Sequence, residues 1–415
     1  RPAPSKVWHA DLWGSRAAKY LRLESEDLSA MTWRQIEPEA RHFFFVPKDL
    51  ALSDEYSAYP SLHGGVFLNK NTGIQTKRDR LVYHINKEEL DAVLHDITDL
   101  SAANFAQSYG LPGDGRDWTL AGATADVRTG KGRGQQVLYH PFDLRWTWYS
   151  GRTKGWMAYP RSPLMQSALK PNLLLLTVRN ARRGNVDSFL VAATLVDKDA
   201  VSPFDNVTFF PLYIYGVEDG APAHDDAGTA LNMSPEFISS FSRVLEAVPD
   251  AVRAERLVHY IYAVLYAPSY RARYAELLRI DYPRIPRTTD PELFAALAER
   301  GRILVELHLM RQAAPPMSTF SGAGDRSVEQ CRYESGRVYV NSTQQFDGVP
   351  AEAWGFRIGG YPVLEKWLKE RRGRTLSSDE VQHFHAVVSV LSKTCGIMRE
   401  IDQVILDFGG WPLAD

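Results

Sequence analysis

Leu173-Leu174-Leu175-Leu176-Thr177-Val178 is an uncharged apolar run, and a basic, turn-rich loop follows it at once: Arg179-Asn180-Ala181-Arg182-Arg183-Gly184-Asn185. A run this short and this apolar has the length of a buried strand and falls far short of the ~18–20 residues a membrane span needs. The flanking sequence repeats the pattern. Short apolar or aromatic runs at 137–139, 146–149, 189–194 and 208–215 are separated by turn residues, as expected of strands that pair with one another. Residues 137–216 are therefore the β-like centre of the chain. The fold class that follows is α+β, with a β-rich first half of mixed or antiparallel sheets and a helix-rich second half.

Working outward, 13–23 reads as a short amphipathic helix. His42-Phe43-Phe44-Phe45-Val46-Pro47 reads as a buried strand ended by proline, and Leu81-Val82-Tyr83-His84-Ile85 as strand-like. Residues 87–96 read as a helix with acidic residues in its first turn. Residues 108–136 are rich in glycine and polar residues and read as a loop or an elaborated hairpin. Downstream, 217–230 is a polar linker. Ser234-Pro235-Glu236 places Ser at an N-cap and Pro at the first helical position. Residues 254–267 carry Leu257, Ile261, Val264 and Leu265 at helical spacing, and Pro268 stops or interrupts that helix. Arg337-Val338-Tyr339-Val340-Asn341 reads as a strand. Residues 360–402 are helical, broken by a charged turn at 369–374, and Ser377-Ser378-Asp379-Glu380 caps the last helix. The organisation expected is a connector at 1–60, a β-rich recognition domain at 61–216, and a mainly helical domain at 231–415 with a small β insertion near 330–345.

Composition narrows the function. The chain has 415 residues, 44% hydrophobic and 24% charged, enough for a large core. Its 48 basic and 50 acidic residues leave a net charge of −2, so any nucleic-acid surface must be a local concentration of positive charge. The two cysteines, Cys331 and Cys395, lack metal-ligand spacing and fit a reduced, cytoplasmic setting. No apolar run suits a membrane span. The chain opens on Arg1 rather than Met, which reads as a piece of a longer polypeptide.

Three further segments are spaced along the chain: Gly73-Ile74-Gln75-Thr76-Lys77-Arg78-Asp79, His140-Pro141-Phe142-Asp143-Leu144-Arg145-Trp146, and Arg357-Ile358-Gly359-Gly360-Tyr361-Pro362-Val363-Leu364-Glu365-Lys366-Trp367-Leu368. In this order they resemble the C-terminal target-recognition region of type ISP restriction-modification enzymes and related N6-adenine DNA methyltransferases. The resemblance runs from about residue 7 to about residue 401. Arg78, Asp79, Pro141, Asp143, Arg145, Gly359 and Gly360 occupy the matching positions. It implies a module that reads double-stranded DNA for an upstream methyltransferase domain of the same polypeptide. It further implies that S-adenosylmethionine, with ATP and Mg²⁺ where motor and nuclease functions exist, belongs to those upstream domains and not to this chain.

The residues agree that the adenine chemistry is elsewhere. An Asn/Asp-Pro-Pro-Tyr/Phe tetrapeptide, which would hold a flipped base, is absent. The Gly-rich Phe320-Ser321-Gly322-Ala323-Gly324 follows Ala314-Pro315-Pro316-Met317 rather than a buried strand, so it lacks the context of a cofactor loop. Asp197-Lys198-Asp199 offers carboxylates to a nuclease metal, but a turn explains it better. His383 and His385 are too close for one helix face, and His383 reads as a surface residue.

The candidates for reading DNA are basic and polar loop residues. Thr76, Lys77, Arg78 and Arg80 follow the first motif. Lys131 and Arg133 lie in the Gly-rich segment 130–134, and Arg152 and Lys154 lie among tryptophans. Trp146 and Trp148 read as packing, with Arg152 and Lys154 pointing outward. Arg179, Asn180, Arg182 and Arg183 form the loop after the buried strand. Lys369 and Arg372 belong to the densest basic run, with Lys366, Arg371 and Arg374. Arg pairs bidentately with guanine and Asn with adenine, whereas Lys and Thr suit phosphates. For Arg78 the alternative is a structural ion pair with Asp79. For the 179–185 loop it is a solvated turn, and for the 366–374 run a solvated helix end. Two other functions stay open: a stand-alone Mg²⁺-dependent nuclease or hydrolase, and a scaffold that binds a partner through its helical half.

Overall fold

The computed structural model describes residues 5–39, 42–162, 164–182, 186–218, 221–222, 228–312 and 314–413. They fall into two compact units, Arg1–Asp54 and Glu55–Asp415. The first holds an antiparallel ladder of β1 (Val7–His9) and β2 (Arg34–Ile36). Between them runs α1 (Arg16–Ser25), started by the Ser15 hydroxyl accepting the Ala18 amide at 3.2 Å. None of the α1 residues is buried. The strand expected at 42–47 does not form: the segment is irregular, Phe43 has a φ of 51°, and Phe43 and Phe45 are exposed. An aromatic run becomes a strand only where a sheet edge receives its amides, and no partner strand meets this one among the described residues.

The second unit is α+β. β3 (Asn71–Thr72) leads into α2 (Asp79–Val82), α3 (Lys87–Asp99), α4 (Ala102–Ser108) and α5 (Leu120–Arg128). Two sequence readings change here. The 81–85 stretch starts as the end of α2, because the Thr76 hydroxyl accepts the Arg78 amide at 3.1 Å and turns the chain. An apolar run of this length does not distinguish a strand from a buried helical turn. Only His84 behaves as expected, bridging Trp146 through two backbone bonds of 2.9 and 2.7 Å. The 108–136 segment contains α5, capped by Thr119, whose hydroxyl accepts the Gly122 amide at 3.1 Å. Its glycine masked a helix that the cap and its alanines support.

The β-rich centre follows: β4 (Arg133–His140), β5 (Asp143–Tyr149), β6 (Leu174–Val178), β7 (Leu190–Ala192), β8 (Leu195–Val196) and β9 (Val207–Pro211). One sheet has the order β3-β9-β6-β7 and is antiparallel throughout. The other has the order β5-β4-β8, with β4 and β8 parallel. All five β6 residues are buried, as are all five of β9, which is why β6 reads as a continuous apolar run.

The helical part begins at α6 (Pro235–Ser239), capped by Ser234 with Pro at its start, as read from sequence. Its core is the pairing of α7 (Asp250–Tyr266) with α9 (Pro291–His308), while α8 (Pro268–Arg273) starts at the proline that ends α7. Strands β10 (Thr319–Ser321), β11 (Arg332–Glu334), β12 (Arg337–Tyr339) and β13 (Gln345–Asp347) form an antiparallel sheet in the order β10-β13-β12-β11. α10 (Val363–Lys369) and α11 (Ser378–Asp407) complete the unit, α11 opening with a capping box of Ser377 and Glu380. β7 packs on α9, and the Tyr266 hydroxyl donates to the Phe189 carbonyl at 2.8 Å, so sheet and helices share one core.

Candidate nucleic-acid interface

The three sequence motifs converge on one segment, 195–205. The first is threaded against it. A side chain at position 73 would enter the backbone of Asp197, so only glycine allows this approach. Ile74 donates to Val196 O at 2.8 Å and accepts from the Lys198 amide at 2.9 Å. The second motif closes the β4–β5 hairpin, and β4 carries β8 through Val137↔Leu195 and Leu138↔Val196. In the third, Gly359 has a φ of 56° and lies against Val201 O, where any side chain would collide. Asp197-Lys198-Asp199 forms a turn, as read from sequence. Burial pushes the Asp197 carboxyl up to about 7 despite the Asp199 amide donating to it at 2.8 Å, and the Tyr83 hydroxyl donates to it at 2.8 Å.

Beneath this hub lies a buried charge cluster. Asp143 accepts from Arg145 (Nη2–Oδ2 2.7 Å) and from Arg371 (Nη2–Oδ1 3.0 Å). Arg371 also donates to Glu380 at 2.9 Å and stacks on Trp367 with its guanidinium 3.5 Å from the ring centre. Burial opposes ionisation of Asp143, but Arg371 and Arg145 outweigh it and hold its carboxyl below the usual range. Glu370 is pulled down to about 2, first by its hydrogen bond with His140 and then by Lys366. Arg371 thus departs from the solvated helix end expected: it is buried, because Asp143 on a distant hairpin supplies the countercharge. His383 departs too. It is half-buried, its Nε2 lies 2.7 Å from Phe142 O, and its ring stacks on Trp367. The motif residues Asp143 and Arg145 therefore hold the fold.

The other candidates separate into three groups. Near the first motif, Thr76 is buried and its hydroxyl donates to the Asp79 carboxylate. Among the described residues Arg78 pairs with neither Asp79 nor another carboxylate: it donates to Lys77 O and Gly113 O, both at 2.9 Å, and lies 4.8 Å above Trp118. Lys77, at a φ of 67°, and Arg80 are exposed. With Lys198, they line a groove of about 610 Å³ whose far lip is Tyr109, Gly110, Leu111 and Pro112.

The 150–158 loop adjoins this groove, because Tyr159 N donates to Gln75 O at 2.9 Å and Ala158 N to Thr76 O at 3.3 Å. Asp126 of α5 pins the loop by accepting from Ser150 Oγ and Trp156 N, both at 2.9 Å. Arg152 and Lys154 are exposed on it, and Trp148 is buried while Trp146 is half-buried. Arg133 pairs with Tyr149 at the open end of the hairpin, so Lys131 and Arg133 emerge where this loop begins. Among the described residues, none of Lys77, Arg80, Lys131, Arg133, Arg152 and Lys154 has a salt bridge.

The second group is the loop after β6. Arg179 pairs with Asp281 at 2.9 Å. Arg182 pairs with Asp205 and donates to Phe204 O. Asn180 is half-buried, and Arg183 lies outside the described residues. The third group follows α10: Lys369 pairs with Glu365 at 2.6 Å, and Arg372 donates to Glu329 O at 3.1 Å. Sequence reading passed over Lys198, Asp126 and the role of Arg371. Only Lys198 had a signal, its place in a charged turn; the other two depend on contacts between residues far apart in the chain.

The fold, three motifs folded onto one hub and carrying unpaired cations, defines a class. Residues 65–400 match the family of Type ISP C-terminal specificity domains, and the chain belongs to that family. Three solved structures share its fold. One is the ATP-dependent Type ISP restriction-modification enzyme LlaBIII bound to DNA, at a TM-score of 0.64 and 16% identity, over 89% of this chain and 25% of that one. A second is the DrdV–DNA complex, at 0.69 and 20%, over 97% and 43%. A third is a nuclease-deletion mutant of the Type ISP enzyme LlaGI with a DNA substrate mimic, at 0.66 and 18%, over 97% and 39%. This chain thus spans less than half the length of each. No curated protein matches its sequence.

Proposed function

We propose that this chain is the DNA sequence-recognition domain of a larger restriction-modification enzyme, positioning a duplex for a catalytic domain that methylates adenine N6. The observation that carries it is the set of six exposed cations without salt bridges, gathered around the first motif and the open end of the β4–β5 hairpin in a chain of net charge −2. Cations placed so are available to phosphates, whose neutralisation supplies much of the affinity of DNA-binding proteins. Arg179, Asn180, Arg182 and Arg183 are our candidates for base contacts, and Lys369 and Arg372 for the backbone at the edge of the site.

The catalytic cofactor belongs elsewhere. In the Gly-rich turn at 320–324, a side chain at Gly322 would strike Thr343 O, and Gln344 fills the space beside Gly324. Its glycines are accounted for by close packing against Thr343 and Gln344, which supports a structural role for the turn. Among the described residues no cluster of three or more His, Cys, Asp or Glu side chains could hold a metal. We assign S-adenosylmethionine, and any ATP and Mg²⁺, to other domains of the longer enzyme. The first unit supports a protein-facing connector to such a domain, since Trp13 is 83% and Leu28 73% exposed. No helix among the described residues is long and apolar enough to cross a membrane, and a cytoplasmic location completes the proposal.

The test is fluorescence anisotropy of the chain with a randomised duplex pool across a salt titration, followed by sequencing of the retained fraction. An enriched motif with a steep salt slope is expected. Cleavage of the duplex with Mg²⁺ would replace this reading with a nuclease, and absence of binding at low salt would replace it with a scaffold.

A further inference from the structure

Lys198, read from sequence only as part of a charged turn and not as a DNA contact, differs in position from Lys77 and Arg80 on the groove. Its backbone is held on both sides: its amide donates to Ile74 O at 2.9 Å and its carbonyl accepts from the Val207 amide at 2.7 Å. It lies at the turn of the hub segment, on which all three motifs converge. Lys77 and Arg80 rise from a short turn, and Arg78 is committed to two carbonyls and to Trp118. The opposite lip is also fixed, since Leu111 N donates to Ala106 O at 2.9 Å and the Tyr109 hydroxyl to Asp96 at 2.6 Å. The groove is a slot with Lys77, Arg78, Arg80 and Lys198 on one wall, beside the Asp79 carboxylate, which accepts from the Thr76 hydroxyl. Lys198 points its ammonium at the adjacent Asp199 carboxylate, and both side chains are only about 30% exposed (28% and 32%).

We propose that the groove seats a phosphate of the DNA backbone and that Lys198 is its contact, released from Asp199 when the phosphate arrives. This rests on the functional reading above and adds to it a masked contact inside the chain. An ion pair between sequence neighbours at a surface is weak, and a phosphodiester offers the ammonium a comparable anion in the same place. Asp199 then acts as a built-in competitor, lowering nonspecific grip on phosphate by occupying the cation. No bond is made or broken; one counterion replaces another.

The experiment compares the wild-type chain with Lys198→Met, Asp199→Asn and the double variant, by anisotropy on one duplex over a salt series, with thermal melts confirming folding. Asp199→Asn is expected to tighten binding several-fold, a gain that misfolding cannot imitate. Lys198→Met is expected to weaken it and to lower the salt slope by about 0.9, the value for one phosphate. In the Lys198→Met background, Asp199→Asn is expected to do nothing. A tightening of equal size in that background would show that Asp199 acts as a general repulsive charge and would overturn the proposal. So would an unchanged slope in Lys198→Met. Failure of the functional reading shows differently, as a wild-type chain with no salt-dependent binding at all.

Discussion

Two regions of this molecule use the same residue types for opposite ends. Around Asp143 the charges are all paired: buried Asp143, Arg145 and Arg371 and half-buried Glu370 and Glu380 satisfy one another between a hairpin and segments far from it in sequence. Around the first motif Lys77 and Arg80 are exposed and, among the described residues, have no salt bridge, while Lys198 is held by its neighbour Asp199. Burying a charge is tolerable only with a partner in place, so the first region must be complete in the free chain. The second can stay incomplete: Lys77 and Arg80 have nothing to surrender, whereas a paired cation such as Lys198 must first leave its partner to meet a phosphate. Of the family motifs, Asp143 and Arg145 belong to the first kind and Lys77 to the second. The buried pair marks where the fold is sewn together, and the surface proposed for DNA lies apart from it.

The sharpest way to break this comparison is Arg371→Ala. It strips Asp143 of one of its two guanidinium partners, Arg145 remaining, and leaves the half-buried Glu380 unpaired, and should cost ~3 kcal/mol. Lys77→Ala with Arg80→Ala should stay within about 0.5 kcal/mol of wild type, as surface changes do. Urea unfolding at pH 7 measures both. Similar losses in the two variants would erase the distinction.

Acid should undo the buried region first. Asp143 and Glu370 titrate below ordinary carboxylates. Their contribution is present above the unfolded value near 4 and is lost as pH falls through the folded one. His308 acts earlier: burial pushes its imidazole down to about 3, and it sits 2.6 Å from the Tyr262 hydroxyl. Below pH 6.5 the unfolded chain binds a proton that the folded chain refuses, so stability should fall by about 1.4 kcal/mol per pH unit from this group. Asp197, raised to about 7, gains stability as pH falls through the same range, so the test is the change in urea midpoint between pH 7.5 and 5.5 in wild type against His308→Gln; an equal change in both would show that His308 is hydrated or charged in the folded state.

Arg179 and Arg182 belong to neither region, being exposed yet paired. Arg182→Ala with Arg183→Ala should weaken specific binding by ~1–3 kcal/mol per lost base contact and relax selection at the affected positions. Unchanged affinity and specificity would leave Arg182 as a strut for Asp205 and remove the loop from the site.

What was legible in the sequence was local. Strand β6 showed as an uninterrupted apolar run because both its faces are covered. Helix α11 showed through Ser377 and Glu380, whose mutual hydrogen bonds are a short-range matter. The first-half errors share a cause. At 42–47 and 81–85 the composition was right for a strand, but the first meets no partner strand among the described residues and the second begins inside the helical turn 79–82, outcomes set by contacts beyond the segment. Arg371 was misread for a related reason. Nothing near it in sequence shows that Asp143, 228 residues away, lies within 3.0 Å. Lys77, Arg80, Arg152 and Lys154 were picked for composition, and the structure adds that they lie around one groove and its adjoining loop. The same criterion picked Arg179, Arg182 and Lys369, which have carboxylate partners.

That last difference gives the smallest and most discriminating prediction. Lys77 and Arg80 have no salt bridge to surrender, so replacing both by alanine should lower the salt slope of DNA binding by about 0.9 for each phosphate they meet. Lys369 must first leave Glu365, one turn earlier on α10, in a pair worth about 0.3–0.5 kcal/mol. Lys369→Ala should therefore cost that much stability while shifting the slope less than either residue of the first pair. Anisotropy over a salt series, with the same duplex and chain concentration, resolves the two. A larger slope change from Lys369 would mean that the duplex runs along α10, and that pairing within the free chain does not foretell which cations meet DNA.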